Sequence, residues 1–128
     1  MAETRKHFIA DASPWVPETD PLALMHLGKL GEELAECGAV VARCIVQGIL
    51  EAEPSTGEVN KDWLTKEIGD VLANIAMVTE FFGLDQHAID ARIHFKVAYL
   101  RQWHSLPMPA SAPPRESNYN RVIGGAHG

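Results

Sequence analysis

Two short runs carry carboxylates at spacings that let them act together: Glu32-Glu33-Leu34-Ala35-Glu36 and, further along, Glu67-Ile68-Gly69-Asp70. On a helix, Glu32, Glu33 and Glu36 fall within a wedge of about 100°, with Glu32 and Glu36 one turn apart. Taken alone, this run reads as a solvated face, because it lies largely opposite a leucine stripe and also holds Lys29, Arg43 and Gln47. The second run is less ordinary. Glu67 and Asp70 share one side of their helix, each one position ahead of a core residue, Ile68 and Val71. Asn74 extends the polar line ahead of Ile75. Two such rows on helices that pack together would face one another across a groove.

Charge repulsion sharpens the choice. Two like charges 5 Å apart repel by roughly 3 kcal/mol at an effective dielectric of 20. Four or five converging carboxylates therefore oppose folding unless they are protonated or neutralised. A bound divalent cation removes the repulsion and takes the oxygens as ligands. An all-oxygen ligand set favours Mg²⁺, with Mn²⁺ as a substitute, over zinc or copper. Such Mg²⁺ sites commonly complete their coordination with substrate phosphates, which call for cations on the far side. Arg92, Lys96 and Arg101 offer them, although solvated charges near a helix C-terminus explain these residues about equally well. Gly31 and Gly69, beside the acids, are expected to let the two helices approach closely.

The elements that must position these groups are helices. Residues 1–21 hold Pro14, Pro17 and Pro21 without sustained periodicity and read as an irregular arm. Residues 105–128 are rich in proline and glycine and read as a tail outside the core. Between them, residues 22–104 form the working domain. A first helix is predicted from Leu22 to Glu51, with Pro21 suited to its first turn. Loop chemistry fills Glu53 to Asn60, and Asn60 is expected to cap a second helix that ends at Phe82 before Gly83. Asp85 caps a third helix reaching about His104. No segment alternates as a strand would, so the fold class is all-α.

Leu64, Ile68, Val71, Ile75, Val78 and Phe82 make one core stripe. Leu27, Leu30, Leu34, Cys37, Val41 and Cys44 make another. Beside the latter runs a row of small residues: Gly28, Gly31, Ala35, Gly38 and Ala42. Three glycines inside one helix cost roughly 1 kcal/mol each relative to alanine, which close approach of another helix would offset. A helical bundle completed between subunits, a dimer or a dimer of dimers, is the expected architecture.

Composition narrows the function classes. The 128 residues carry a net charge of -6, which argues against binding a nucleic acid polymer through its phosphates. No apolar run is long enough for a membrane span, and the first eight residues have no apolar core of a secretory signal. Cys37 and Cys44 lie seven apart on one helix, about 10.5 Å by helical rise, too far for a disulfide. A cytoplasmic location is the expectation. The six histidines form no zinc spacing. Trp15, Trp63 and Trp103 could each stack on a base, but packing is the favoured role.

Glu32-Glu33-x-x-Glu36 followed after a loop by Glu67-x-x-Asp70 resembles the paired signature of the MazG-like all-α nucleoside triphosphate pyrophosphohydrolases. The resemblance covers residues 22–104, including the basic third helix that closes Lys96-Val97-Ala98-Tyr99-Leu100-Arg101-Gln102-Trp103. It implies a four-helix-type unit assembled as a homodimer or homotetramer. It also implies hydrolysis of a nucleoside triphosphate between its α and β phosphates, giving a monophosphate and pyrophosphate. Carried over, Glu33, Glu36, Glu67 and Asp70 would hold Mg²⁺, and Glu32 would orient or deprotonate the attacking water. Lys96 and Arg101 would contact phosphates, and Asn74 the substrate. The N-terminal arm matches no family segment, so the base preferred does not follow from the resemblance. Two alternatives stand beside this reading: phosphoribosyl-ATP pyrophosphohydrolase, and a non-catalytic helical module whose acidic face binds a basic partner.

Overall fold

The computed structural model describes residues 14–104. Most of the arm and all of the tail read from the sequence lie outside the described residues. Three helices follow in order: α1 (Pro21–Gln47), α2 (Asn60–Phe82) and α3 (Gln86–Trp103). The described residues are all-α, with a single isolated bridge between Ala52 and Val59 and no strand. No helix among them is long and apolar enough to cross a membrane.

Local chemistry sets most helix ends. Asp20 caps α1 by accepting from the Ala23 amide at 3.1 Å, and Pro21 occupies the first turn. Gly83 closes α2 in the left-handed conformation, φ 60°, and Asp85 caps α3 through the Ala88 amide. Two expectations fail. α1 stops at Gln47 rather than Glu51, because Gly48 turns the chain at φ 105°. Asn60 is not the cap of α2 but its first residue; Val59 precedes it with no side-chain hydrogen bond.

The reason lies across the loop. Asn60 is fully buried, and its Nδ2 donates to the Gly48 carbonyl at 2.9 Å and to Gln47 Oε1 at 3.3 Å. Its own amide donates to Glu51 O, and the Lys61 amide to Ile49 O, both at 2.9 Å. The end of α1 and the start of α2 are thereby tied together, which fixes the hairpin's register. Further out, the Glu53 carboxylate accepts from the Ser55 and Thr56 amides and the Ser55 hydroxyl. These bonds hold its carboxyl below the ordinary range, the Ser55 hydroxyl having the largest effect.

α1 and α2 run antiparallel, as their cross-contacts require. His26 near the start of α1 packs against Phe81 near the end of α2, with ring centroids 4.3 Å apart and the rings tilted by 33°, while Arg43 lies over Trp63 at the other end. The face of α1 turned to α2 is Ala23, His26, Leu30, Glu33, Cys37, Val40 and Cys44, all buried or half-buried. The leucine stripe read from the sequence is therefore split. Leu30, Cys37 and Cys44 lie inside, but Leu27, Leu34 and Val41 are exposed. On α2, Leu64, Val71, Ile75, Val78 and Phe82 face inward as expected, and Ile68 is exposed.

One neighbouring helix covers only one row of α1. α3 has no buried residue and no extended packing against the hairpin, so among the described residues no helix covers the second row. Gly28, Gly31 and Gly38 likewise look onto open space, as does Gly69 on α2. The expected role of Gly31 and Gly69 in drawing the two acidic helices together is thus not met within the chain. The helices approach instead through Ala23, Val40 and Val78, the buried apolar residues.

Candidate metal centre

The same rotation of α1 that exposes Leu34 carries its neighbour Glu33 inward. Glu33 sits in the row that faces α2 and is only 7% exposed, which corrects the reading of its run as a face opposite the core stripe. From α2 come Glu67, half-buried, and Asp70, exposed one turn later. One carboxylate oxygen from each of Glu33, Glu67 and Asp70 lies within 4.8 Å of those of the other two. The two acidic runs do meet, through these three residues.

Their partners are few. Lys29, one turn before Glu33, places its ammonium 2.8 Å from Glu33 Oε1 and 3.3 Å from Glu32 Oε2. Hydrogen bonding to Glu33 first, and then to Glu32, holds the Lys29 pKa above its ordinary value. Glu67 Oε1 accepts from the Trp63 indole N–H at 2.8 Å. Glu67 Oε2 is buried and accepts no hydrogen bond among the described residues. Among the described residues, three carboxylates against one ammonium leave two negative charges uncompensated, and one buried oxygen of the group lacks a donor. A divalent cation held there would satisfy both. With oxygen donors only, a hard ion such as Mg²⁺ or Mn²⁺ fits this group better than zinc or copper.

The other residues singled out in the sequence stand differently. Glu32 and Glu36 are exposed, Glu32 paired with Lys29 and Glu36 outside the three-residue group. Asn74 donates its Nδ2 to the Asp70 carbonyl at 2.9 Å, one turn back in its own helix. Lys96 lies 5.4 Å from the centre of the Tyr99 ring. Lys96 and Arg101 are exposed on α3, and among the described residues no extended helix packing seats them against the acidic group.

Two contacts beside the site, those of Trp63 and Asn60, are not among the ones the acidic runs point to. Trp63 precedes Glu67 by four residues, the spacing of facing side chains on a helix, so its bond was accessible to the pattern. The contacts of Asn60 reach back to the end of α1 and had no local signal. No family model, curated protein or solved structure matches the chain.

Proposed function

We propose that this protein is a Mg²⁺-dependent nucleoside triphosphate pyrophosphohydrolase, resembling the MazG-like enzymes in its paired acidic runs. The observation that carries the reading is the convergence of Glu33, Glu67 and Asp70 beside the unsatisfied Glu67 Oε2. These three would hold the ion. Glu36, one turn from Glu33 and exposed, is the proposed fourth ligand. Bound Mg²⁺ would neutralise the triphosphate and make water a better nucleophile.

The remaining steps belong to the chain's own side chains. Glu32, exposed beside Glu33, orients the attacking water and accepts its proton. The water oxygen bonds to the α-phosphorus as that atom's bond to the α–β bridging oxygen breaks. Pyrophosphate leaves with the bridging oxygen, and a nucleoside monophosphate remains. Lys96 and Arg101 balance phosphate charge, and Asn74 contacts the substrate at the edge of the acidic group.

Association completes this arrangement. The open row of Leu27, Leu34 and Val41, with Gly28, Gly31 and Gly38 beside it, supports a homodimer or homotetramer. Two hairpins would then form the four-helix unit and provide a surface for α3. The cytoplasm, where nucleotide pools reside, is the proposed setting.

The test is a substrate panel with purified protein and Mg²⁺. Canonical and altered (d)NTPs are expected to yield pyrophosphate and monophosphate in equal amounts. Turnover of phosphoribosyl-ATP alone would assign the related enzyme instead, and no pyrophosphate from any substrate would leave a non-catalytic acidic module.

A further inference from the structure

The Glu67 carboxylate is held unevenly. Oε1 is bound by the Trp63 indole N–H at 2.8 Å, whereas Oε2 is buried with no donor among the described residues. Trp63 is itself fixed from beyond α2. The Arg43 guanidinium lies over its ring, 4.5 Å from the centroid, and Arg43 is 3.9 Å from Glu53 Oε1. Glu53 is in turn pinned by the amides of Ser55 and Thr56. A continuous series of contacts thus runs from the interhelical loop through Arg43 and Trp63 to the carboxylate at the candidate metal centre.

We infer that Trp63 is the positioning residue for Glu67: its N–H occupies Oε1 and leaves Oε2 as the oxygen offered to the cation. The inference rests on the metal-centre reading above. The chemistry of the donor favours it. An indole N–H donates, cannot accept and carries no charge, so it orients a carboxylate without competing for its negative charge as lysine or arginine would. It also keeps its proton across the pH range in which carboxylates titrate. The positive charge in this series sits on Arg43, over the ring, while Glu67 takes the indole N–H. Partners of this kind, bonded to a ligand's second atom, commonly tune metal affinity by 10–100-fold. Trp63 acts through Glu67 and is given no contact with substrate.

The test uses the full chain and Mn²⁺ alone as probe, with free ion counted by electron paramagnetic resonance. Trp63→Phe keeps a ring beneath Arg43 but removes the N–H. It is expected to weaken Mn²⁺ binding by about 10-fold or more at unchanged helical circular dichroism, while Trp103→Phe leaves binding unaltered. Binding by Trp63→Phe equal to that of the parent chain overturns the role of Trp63 and spares the metal centre. Absence of Mn²⁺ binding by the parent chain overturns both. A second measurement needs no substitution: saturating Mg²⁺ is expected to shift the Trp63 indole N–H resonance more than those of Trp15 and Trp103. An unmoved Trp63 signal with Mg²⁺ bound contradicts the inference even if Trp63→Phe fails to fold.

Discussion

Lys29 Nζ lies 2.8 Å from Glu33 Oε1, so a cation supplied by the chain already touches one member of the acidic group. Glu33 is buried and its carboxylate needs a partner; Lys29 is half-exposed and supplies it from one turn away. In the metal-free protein this pair offsets part of the repulsion among Glu33, Glu67 and Asp70. With a divalent ion present, the same ammonium would compete for the same carboxylate.

Lys29→Gln should therefore lower the melting temperature in chelator and enlarge the rise on adding Mg²⁺. Calorimetry in the two conditions measures both changes, and equal Mg²⁺ effects in variant and parent would count against the competition. The pH dependence has a definite sign. The folded-state pKa of Lys29 is raised, so its contribution is fully present below the ordinary value of 10.5 and is lost as pH rises through the folded value. Alkaline titration of the metal-free protein should show this loss in the parent and not in Lys29→Gln.

Neutral isosteres probe the ligands. Glu67→Gln, Asp70→Asn and Glu36→Gln keep side-chain volume and remove one negative charge each. Each is expected to reduce Mg²⁺-dependent pyrophosphate release by about 100-fold or more, on the scale of several kcal/mol that a metal supplies to charge stabilisation. Helical circular dichroism should remain unchanged. Full activity in Asp70→Asn would remove the most exposed of the three converging acids from the mechanism.

Mg²⁺ should also stabilise the fold by mass action. At an ion concentration 100 times the dissociation constant, linkage adds about 2.7 kcal/mol. The melting temperature is expected to rise with Mg²⁺ or Mn²⁺ and to remain near its starting value with K⁺ at matched ionic strength. A similar rise with K⁺ would reduce the effect to general screening.

Asn60 makes a separate prediction about the hairpin. Asn60→Ala strips the Gly48 carbonyl and Gln47 Oε1 of their donor at a fully buried position. Leaving such a group unpaired costs about 1–3 kcal/mol, visible as a lower denaturation midpoint in urea. Since this tie sets the register of α2 against α1, Mg²⁺ affinity should fall with it.

Much of this molecule is written locally in its chain. Pro21, Gly83 and Asp85 mark helix ends by their own backbone preferences and capping chemistry, and all three act as expected. Gly48 was harder to distinguish, because Gly28, Gly31 and Gly38 sit within the same helix without ending it. Asn60 resembled a cap by type and position, yet its partners are the groups at the end of α1.

The acidic runs were legible as a pair, but the member turned toward α2 was not. The leucine row and the observed inward row of α1 share Leu30, Cys37 and Cys44, so periodicity alone cannot choose between them. That choice depends on which neighbour covers the helix. Among the described residues α2 is the element that packs extensively against it, and the row containing Glu33 faces inward. The position of α3 is nonlocal in the same sense: its sequence carries Lys96 and Arg101, but helix periodicity does not say what surface it will meet.

The most direct test of the central claim is anomalous diffraction from crystals of the full chain soaked in Mn²⁺. A peak within coordination distance of Glu33, Glu67 and Asp70 is the predicted result. A well-ordered Glu33–Glu67–Asp70 group with no anomalous signal at saturating Mn²⁺ would contradict it.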